Sequence, residues 1–173
     1  MGQVEVEIVG PVVLSNNSER VIVIGLNEKN GKRGYLLRTS RHRADIIDYL
    51  INGTPPPNAC VLSHTSLAGE FLDILSALGE KLEFRVDRVS FTELPNGTVY
   101  TTLHLEGGGK SIEIPINRPT VAMAVVISTK CKALMDDKLM GEDGYIDISK
   151  IKKQSDEAMA LDSPNIDWSK VKE

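Results

Sequence analysis

The chain predicts a single α+β domain, and two observations carry that reading. A strand, a Gly-rich turn, a second strand, an Arg-containing corner and a helix follow one another over residues 20–50, RVIVIGLNEKNGKRGYLLRTSRHRADIIDYL. The same order returns over 98–128, TVYTTLHLEGGGKSIEIPINRPTVAMAVVIS. A hairpin with one helix cannot bury both its sheet face and its helix stripe alone, so the two units are expected to pack on each other around one core. The expected architecture is two strand–strand–helix repeats packed as one domain, with an extra long helix between them. Residues 1–150 are assigned to that domain and 151–173 to a polar C-terminal tail, expected to be disordered or docked.

Taking the elements in order, Val4, Val6 and Ile8 alternate with Gln3, Glu5 and Glu7, the pattern of a half-buried strand. Ser15-Asn16-Asn17-Ser18 is turn chemistry. Residues 21–26, VIVIGL, are almost entirely apolar and predict a strand covered on both faces. Together with 121–127, VAMAVVI, they carry more apolar surface than two thin repeats can cover, so a partner molecule is expected over them. Asn27 to Gly34 make a charged hairpin turn. Apolar residues at 44, 46, 47, 50 and 51 form a helix stripe, which Gly53-Thr54-Pro55-Pro56-Pro57 ends. A second helix carries Leu67, Phe71, Leu72, Ile74, Leu75 and Leu78 on one face, with Thr65 or Ser66 as cap and Gly79 as stop. The strand LEFRVDRVSFTEL follows, then Pro95-Asn96-Gly97, whose Asn-Gly pair suits the positive φ values of a hairpin turn. Gly107-Gly108-Gly109 separates the next two strands, and Arg118-Pro119 opens a helix with Asn117 as its expected cap.

Composition narrows the functional classes. The chain has 173 residues, 41% of them hydrophobic and 25% charged, as in ordinary globular proteins. A net charge of −4 argues against a broad basic footprint for nucleic acid. No apolar run approaches the roughly 20 residues of a membrane-spanning helix. The opening MGQVEVEIVG reads as a strand rather than a leader, and Val6 spoils a myristoylation pattern. Cys60 and Cys131 form no paired motif, which suits a reduced, cytoplasmic chain.

The order of these pieces resembles that of the bifunctional nuclease (BFN) domain family. The likeness spans about residues 20–140 and rests on VIVIGL, YLL, the Pro55-Pro56-Pro57 loop, LDILSALG, RVDRV, NGTVYTTLHL and IEIPINRPTVAMAVV. It implies a compact α+β fold with an internal repeat, assembly as a homodimer, and hydrolysis of DNA and RNA with Mg²⁺ or Mn²⁺. The departures fall on that chemistry. The family pattern Arg-Pro-Ser-Asp reads here Arg118-Pro119-Thr120-Val121; a Glu usual near the first corner is replaced by His42 or a neighbour; and Thr-His-Asp has its nearest counterpart in Ser63-His64-Thr65. Carboxylates position Mg²⁺ and its water in phosphodiester hydrolysis. Their loss predicts a degenerate nuclease site and a dimeric binding or assembly module, with an active metal-dependent nuclease as the alternative.

The candidate site residues follow. Arg38, Arg41, His42 and Arg43 cluster at a strand-to-helix corner, where free backbone N–H groups favour anions; the alternative is a solvated face, or a salt-bridged interface with Asp45 and Asp48. Arg118 takes the matching place at the second corner, as a site residue or as a structural fork to carbonyls. His64 is a candidate base or metal ligand, or else a cap. His104, between Leu103 and Leu105, belongs on the outer sheet face. Asp136, Asp137, Glu142, Asp143 and Asp147 form an acidic stretch whose EF-hand reading fails, because Lys138 and Met140 fall on ligand positions. No metal ligands are assigned. Trp168 marks the tail as able to dock on the domain or to anchor a protein partner.

Overall fold

The computed structural model describes residues 2–15, 20–53, 79, 83–147 and 160–162. One mixed sheet runs through them. In chain order its elements are β1 (Gln3–Ser15), β2 (Arg20–Glu28), β3 (Gly34–Arg38), α1 (Arg41–Asn52), β4 (Phe84–Glu93), β5 (Val99–Gly107), β6 (Lys110–Ile116), α2 (Pro119–Thr129), β7 (Lys132–Asp136) and β8 (Ala160–Asp162). The strand order is β3-β2-β1-β7-β4-β5-β6, with the short β8 pairing parallel to β1. The fold is α+β, and a three-strand meander followed by a helix occurs at both ends of the sheet. The long helix expected at 65–79 and the Pro55-Pro56-Pro57 loop lie outside the described residues, except Gly79. No described helix is long and apolar enough to cross a membrane.

β7 was not foreseen from the sequence, yet it joins the two halves. It pairs antiparallel to β1, with Val6 opposite Ala133, and parallel to β4, with Phe91 opposite Met135. Ala133 and Met135 point into the core, so the period-2 pattern is present in KALMD, although none of those residues is β-branched.

Among the described residues, α1 and α2 lie on one face of the sheet. Ile47 of α1 and Ala122, Met123 and Val125 of α2 meet Ile24, Leu26, Val89, Phe91 and Met135 in the main core. Two β-bulges decide which strand residues reach it. In β1 the register shifts between Ile8 and Gly10, and Gly10 adopts φ +110°. Val6 and Ile8 therefore face the helices, while Val12 and Leu14 switch to the opposite face. There they form a second core with Val21, Val23, Leu36 and Ile146. A shift in β4 between Val86 and Arg88 does the same, turning Val89 and Phe91 toward the helices and Ser90 away.

The segment 140–147 seals that second core. Asn27, 1% exposed, donates from its side chain to the Ile146 carbonyl at 2.7 Å and accepts from the Ile146 N–H at 2.9 Å. Gly34 and Gly141 exchange backbone hydrogen bonds at 2.8 and 3.0 Å. A Cβ on Gly25 would fall 2.2 Å from the Ile146 side chain, so a residue with no side chain is needed there.

Three local expectations need correction. The turn after β4 is a type I turn closed by the Gly97 N–H to Leu94 carbonyl bond, and only Gly97 takes positive φ; Asn96 instead accepts from the Thr98 N–H. The N-cap of α2 is Arg118, not Asn117, and it makes no side-chain cap bond. The apolar stretches VIVIGL and 121–127 were expected to need a partner molecule to cover them. Instead Val21, Val23, Ile24, Leu26, Ala122, Met123 and Val125 are buried within the chain, and within these two stretches only Val121 is substantially exposed, at 45%.

Candidate functional site

The first corner carries Arg38 at the end of β3 and Arg41, His42 and Arg43 on the first turn of α1, all exposed. Ser40 sits in extended backbone (φ −81°, ψ 156°) at the N-cap without a side-chain cap bond, and the first turn has no acidic residue. The first helical bond runs from the Ala44 N–H to the Ser40 carbonyl at 3.0 Å. The N–H groups preceding it thus form a positive helix end surrounded by cationic side chains. The Arg41 guanidinium donates to Asp45 at 2.9 Å, one turn on in the same helix. Arg38 pairs with Val23 and so projects from the opposite sheet face to α1. The structure therefore brings the four residues to one corner but spreads them around its edge.

Arg118 stands at the second corner, exposed, with its carbonyl accepting from the Val121 and Ala122 N–H groups at 3.0 and 3.3 Å. Strand order separates the two corners. β3 and β6 are opposite ends of the sheet, six strand spacings apart, or about 29 Å at roughly 4.8 Å each. The pairing directions also make β3 and β6 antiparallel, so their C-terminal ends lie at opposite ends of the sheet. Arg118 and the Arg38 cluster occupy diagonal corners and do not form one site within a chain. His64 lies outside the described residues.

Sequence reasoning missed one constellation. On the sheet face away from the helices, the Ser90 hydroxyl lies 2.8 Å from His104 Nε2. His104 Nδ1 lies 3.3 Å from a Glu113 carboxylate oxygen, within ion-pair range but without hydrogen-bond alignment. His104 is on the face expected of it, yet it is buried, only 8% exposed. Hydroxyl, imidazole and carboxylate are in the order that nucleophilic hydrolysis uses. Acyl transfer also needs free N–H donors for the oxyanion. Ser90 sits mid-strand in β4, paired with Thr102 on one side and Leu134 on the other, where neighbouring N–H groups belong to the ladders. The array is a brace across β4, β5 and β6.

In the acidic stretch, Asp136 and Asp137 make structural contacts. Buried Asp136 accepts from the Glu93 N–H at 3.3 Å and from Gln3 at 3.5 Å. Asp137 meets Arg33 at 2.8 Å. The same guanidinium makes a two-pronged contact with Glu28, at 3.0 and 2.9 Å. That fork lowers the Glu28 carboxyl below its usual range. Among the described residues no group of three or more His, Cys, Asp or Glu side chains is arranged to hold a metal ion. Cys131, half-buried between α2 and β7, has its thiol pushed up by burial, away from nucleophilic thiolate. No family model matches the chain, and no curated protein matches it.

Proposed function

We propose that this chain is a BFN-like binding and assembly module that acts as a homodimer in the cytoplasm and has lost metal-dependent catalysis. The carrying observation is Val121. It lies in the first turn of α2 just past Arg118-Pro119, where the resemblance expects a carboxylate, and its side chain is open to solvent. A carboxylate there could reach a metal, whereas an exposed valine offers it nothing and suits a protein contact. Ile112 and Ile114 on the preceding strand add exposed apolar surface next in sequence to the same corner. The C-terminal tail is a second candidate contact for a protein partner.

The uncapped N-terminus of α1 among Arg38, Arg41, His42 and Arg43 favours a second reading, a nuclease using Mg²⁺ or Mn²⁺, because it suits a phosphate. Incubation with single-stranded DNA and RNA in Mg²⁺ or Mn²⁺ separates the two. The module reading expects no cleavage above buffer. Robust cleavage abolished by EDTA and by His64→Ala would establish the nuclease instead.

A further inference from the structure

We propose that the homodimer forms through β6, whose outer edge pairs antiparallel with β6 of a second copy in a register centred on Ile112. The inference rests on the dimeric reading above and names its surface. β6 ends the strand path, no described strand pairs with its outer side, and every residue from Lys110 to Pro115 is exposed.

Its hydrogen-bonding pattern follows from the turn before it. Gly108 and Gly109, with φ +54° and +72°, make a two-residue type I′ turn closed by the Gly107–Lys110 pair. Such a closing pair is hydrogen-bonded, and bonded and non-bonded pairs alternate along the ladder. Lys110, Ile112, Ile114 and Ile116 therefore aim their backbone groups at β5. Ser111, Glu113 and Pro115 aim theirs outward, and Pro115 has no N–H to offer. The available outward donors are Ser111 and Glu113.

A twofold axis perpendicular to the sheet keeps the helices of both copies on one side, so residues of the same face must lie opposite each other. Centring on Ile112 sets Ser111 against Glu113 of the second copy, and each such pair exchanges bonds in both directions. The serine hydroxyl then also faces the opposing carboxylate. Centring on Glu113 sets two carboxylates face to face and wastes Ser111 against proline, while centring on Ile114 sets Glu113 against proline. Ile112 and Ile114 point to the helix side, opposite Leu105 and Leu103, and are each 41% exposed. In the favoured register the two Ile112 side chains meet on the axis, and each Ile114 lies against the stem of Lys110 of the other copy.

The test uses the full chain with Cys60→Ser and Cys131→Ser, and adds Ile112→Cys or Ile114→Cys. Opposed residues of a non-bonded pair have Cα atoms about 4.5 Å apart, within disulfide reach. The two Ile114 positions would be about 14 Å apart along the strands and beyond it. Light scattering should give a dimer for the parent, and mild oxidation should cross-link Ile112→Cys but not Ile114→Cys. Ser111→Pro, which removes an outward donor without touching the core, should yield a folded monomer by circular dichroism and scattering. A dimer that cross-links only through Ile114→Cys, or that survives Ser111→Pro, overturns this surface while leaving the dimeric reading intact. A parent that stays monomeric at micromolar concentration overturns both.

Discussion

Tyr35 offers a sharp test of how the core is built. It lies on β3 opposite Leu26, 5% exposed, and its hydroxyl is buried without a hydrogen-bond partner among the described residues. Burial pushes the phenol from 10.0 up to about 12, with the Glu93 carboxylate adding to the effect. Tyr35→Phe removes only the orphaned hydroxyl, so at neutral pH it should stabilise the fold by about 1 kcal/mol, the low end of an unsatisfied-group penalty. The sign of the pH effect follows from the raised value. Below pH 10 the phenol is neutral whether the chain is folded or unfolded. Between 10 and 12 the unfolded phenol ionises and the folded one resists, so the native protein loses stability as pH rises. Two units correspond to a loss of about 2.7 kcal/mol at most. The variant lacks this loss, and every other group is common to both proteins. Urea unfolding of the pair at pH 7.5, 9, 10.5 and 11.5 should show their stability gap widening above pH 10. Parallel pH profiles, or a variant less stable at neutral pH, would mean that the hydroxyl has a partner and the reasoning fails.

Other expectations concern the clasp and the thiol. Gly25→Ala should cost about 1–3 kcal/mol by overpacking against Ile146, and Ile146→Ala should recover part of it in a double-mutant cycle measured by urea unfolding. Asn27→Ala removes both bonds to Ile146 and should destabilise by about 2 kcal/mol, with limited proteolysis cutting first within 140–147. Cys131, in a Cys60→Ser background, should react with iodoacetamide at pH 8 several-fold more slowly than a free thiol, since burial keeps it protonated; a rate equal to that of the free thiol would contradict its placement.

What the sequence disclosed depended on whether a feature was local. VIVIGL reads as a strand covered on both faces because its apolar run is unbroken, and it lies between the helix-side core and the segment around Ile146. The face switch in β4 was written in the sequence, as Phe84 and Val86 give way to Val89 and Phe91. In β1 the even positions from Val4 to Leu14 conceal it, since only a bulge at Gly10 turns half of them over. β7 was illegible because five residues of modest strand propensity are placed by two neighbours distant in sequence. The corners could each be recognised, but their diagonal separation depends on strand order. The Ser90–His104–Glu113 array was hidden because it needs the registers of two strand pairings at once.

The two meanders differ most on the face away from the helices, and that contrast bears on function. After its bulge β1 presents Val12 and Leu14 there, and β2 adds Val21 and Val23, all closed under Ile146. β4 instead presents Arg88 and Ser90, and β5 presents Thr102 and His104. One half is thus a dry core that fixes the fold, and the other is a polar sheet running to an open edge. Such an edge invites indiscriminate pairing unless its strand is held in register. His104 sits on the inner neighbour of β6, tied to Ser90 and within ion-pair range of Glu113. Glu113 is also the residue whose backbone would bond a second copy. A brace at that position keeps β6 in its sheet and would orient its edge for the proposed second copy, an arrangement that suits the assembly reading better than hydrolysis.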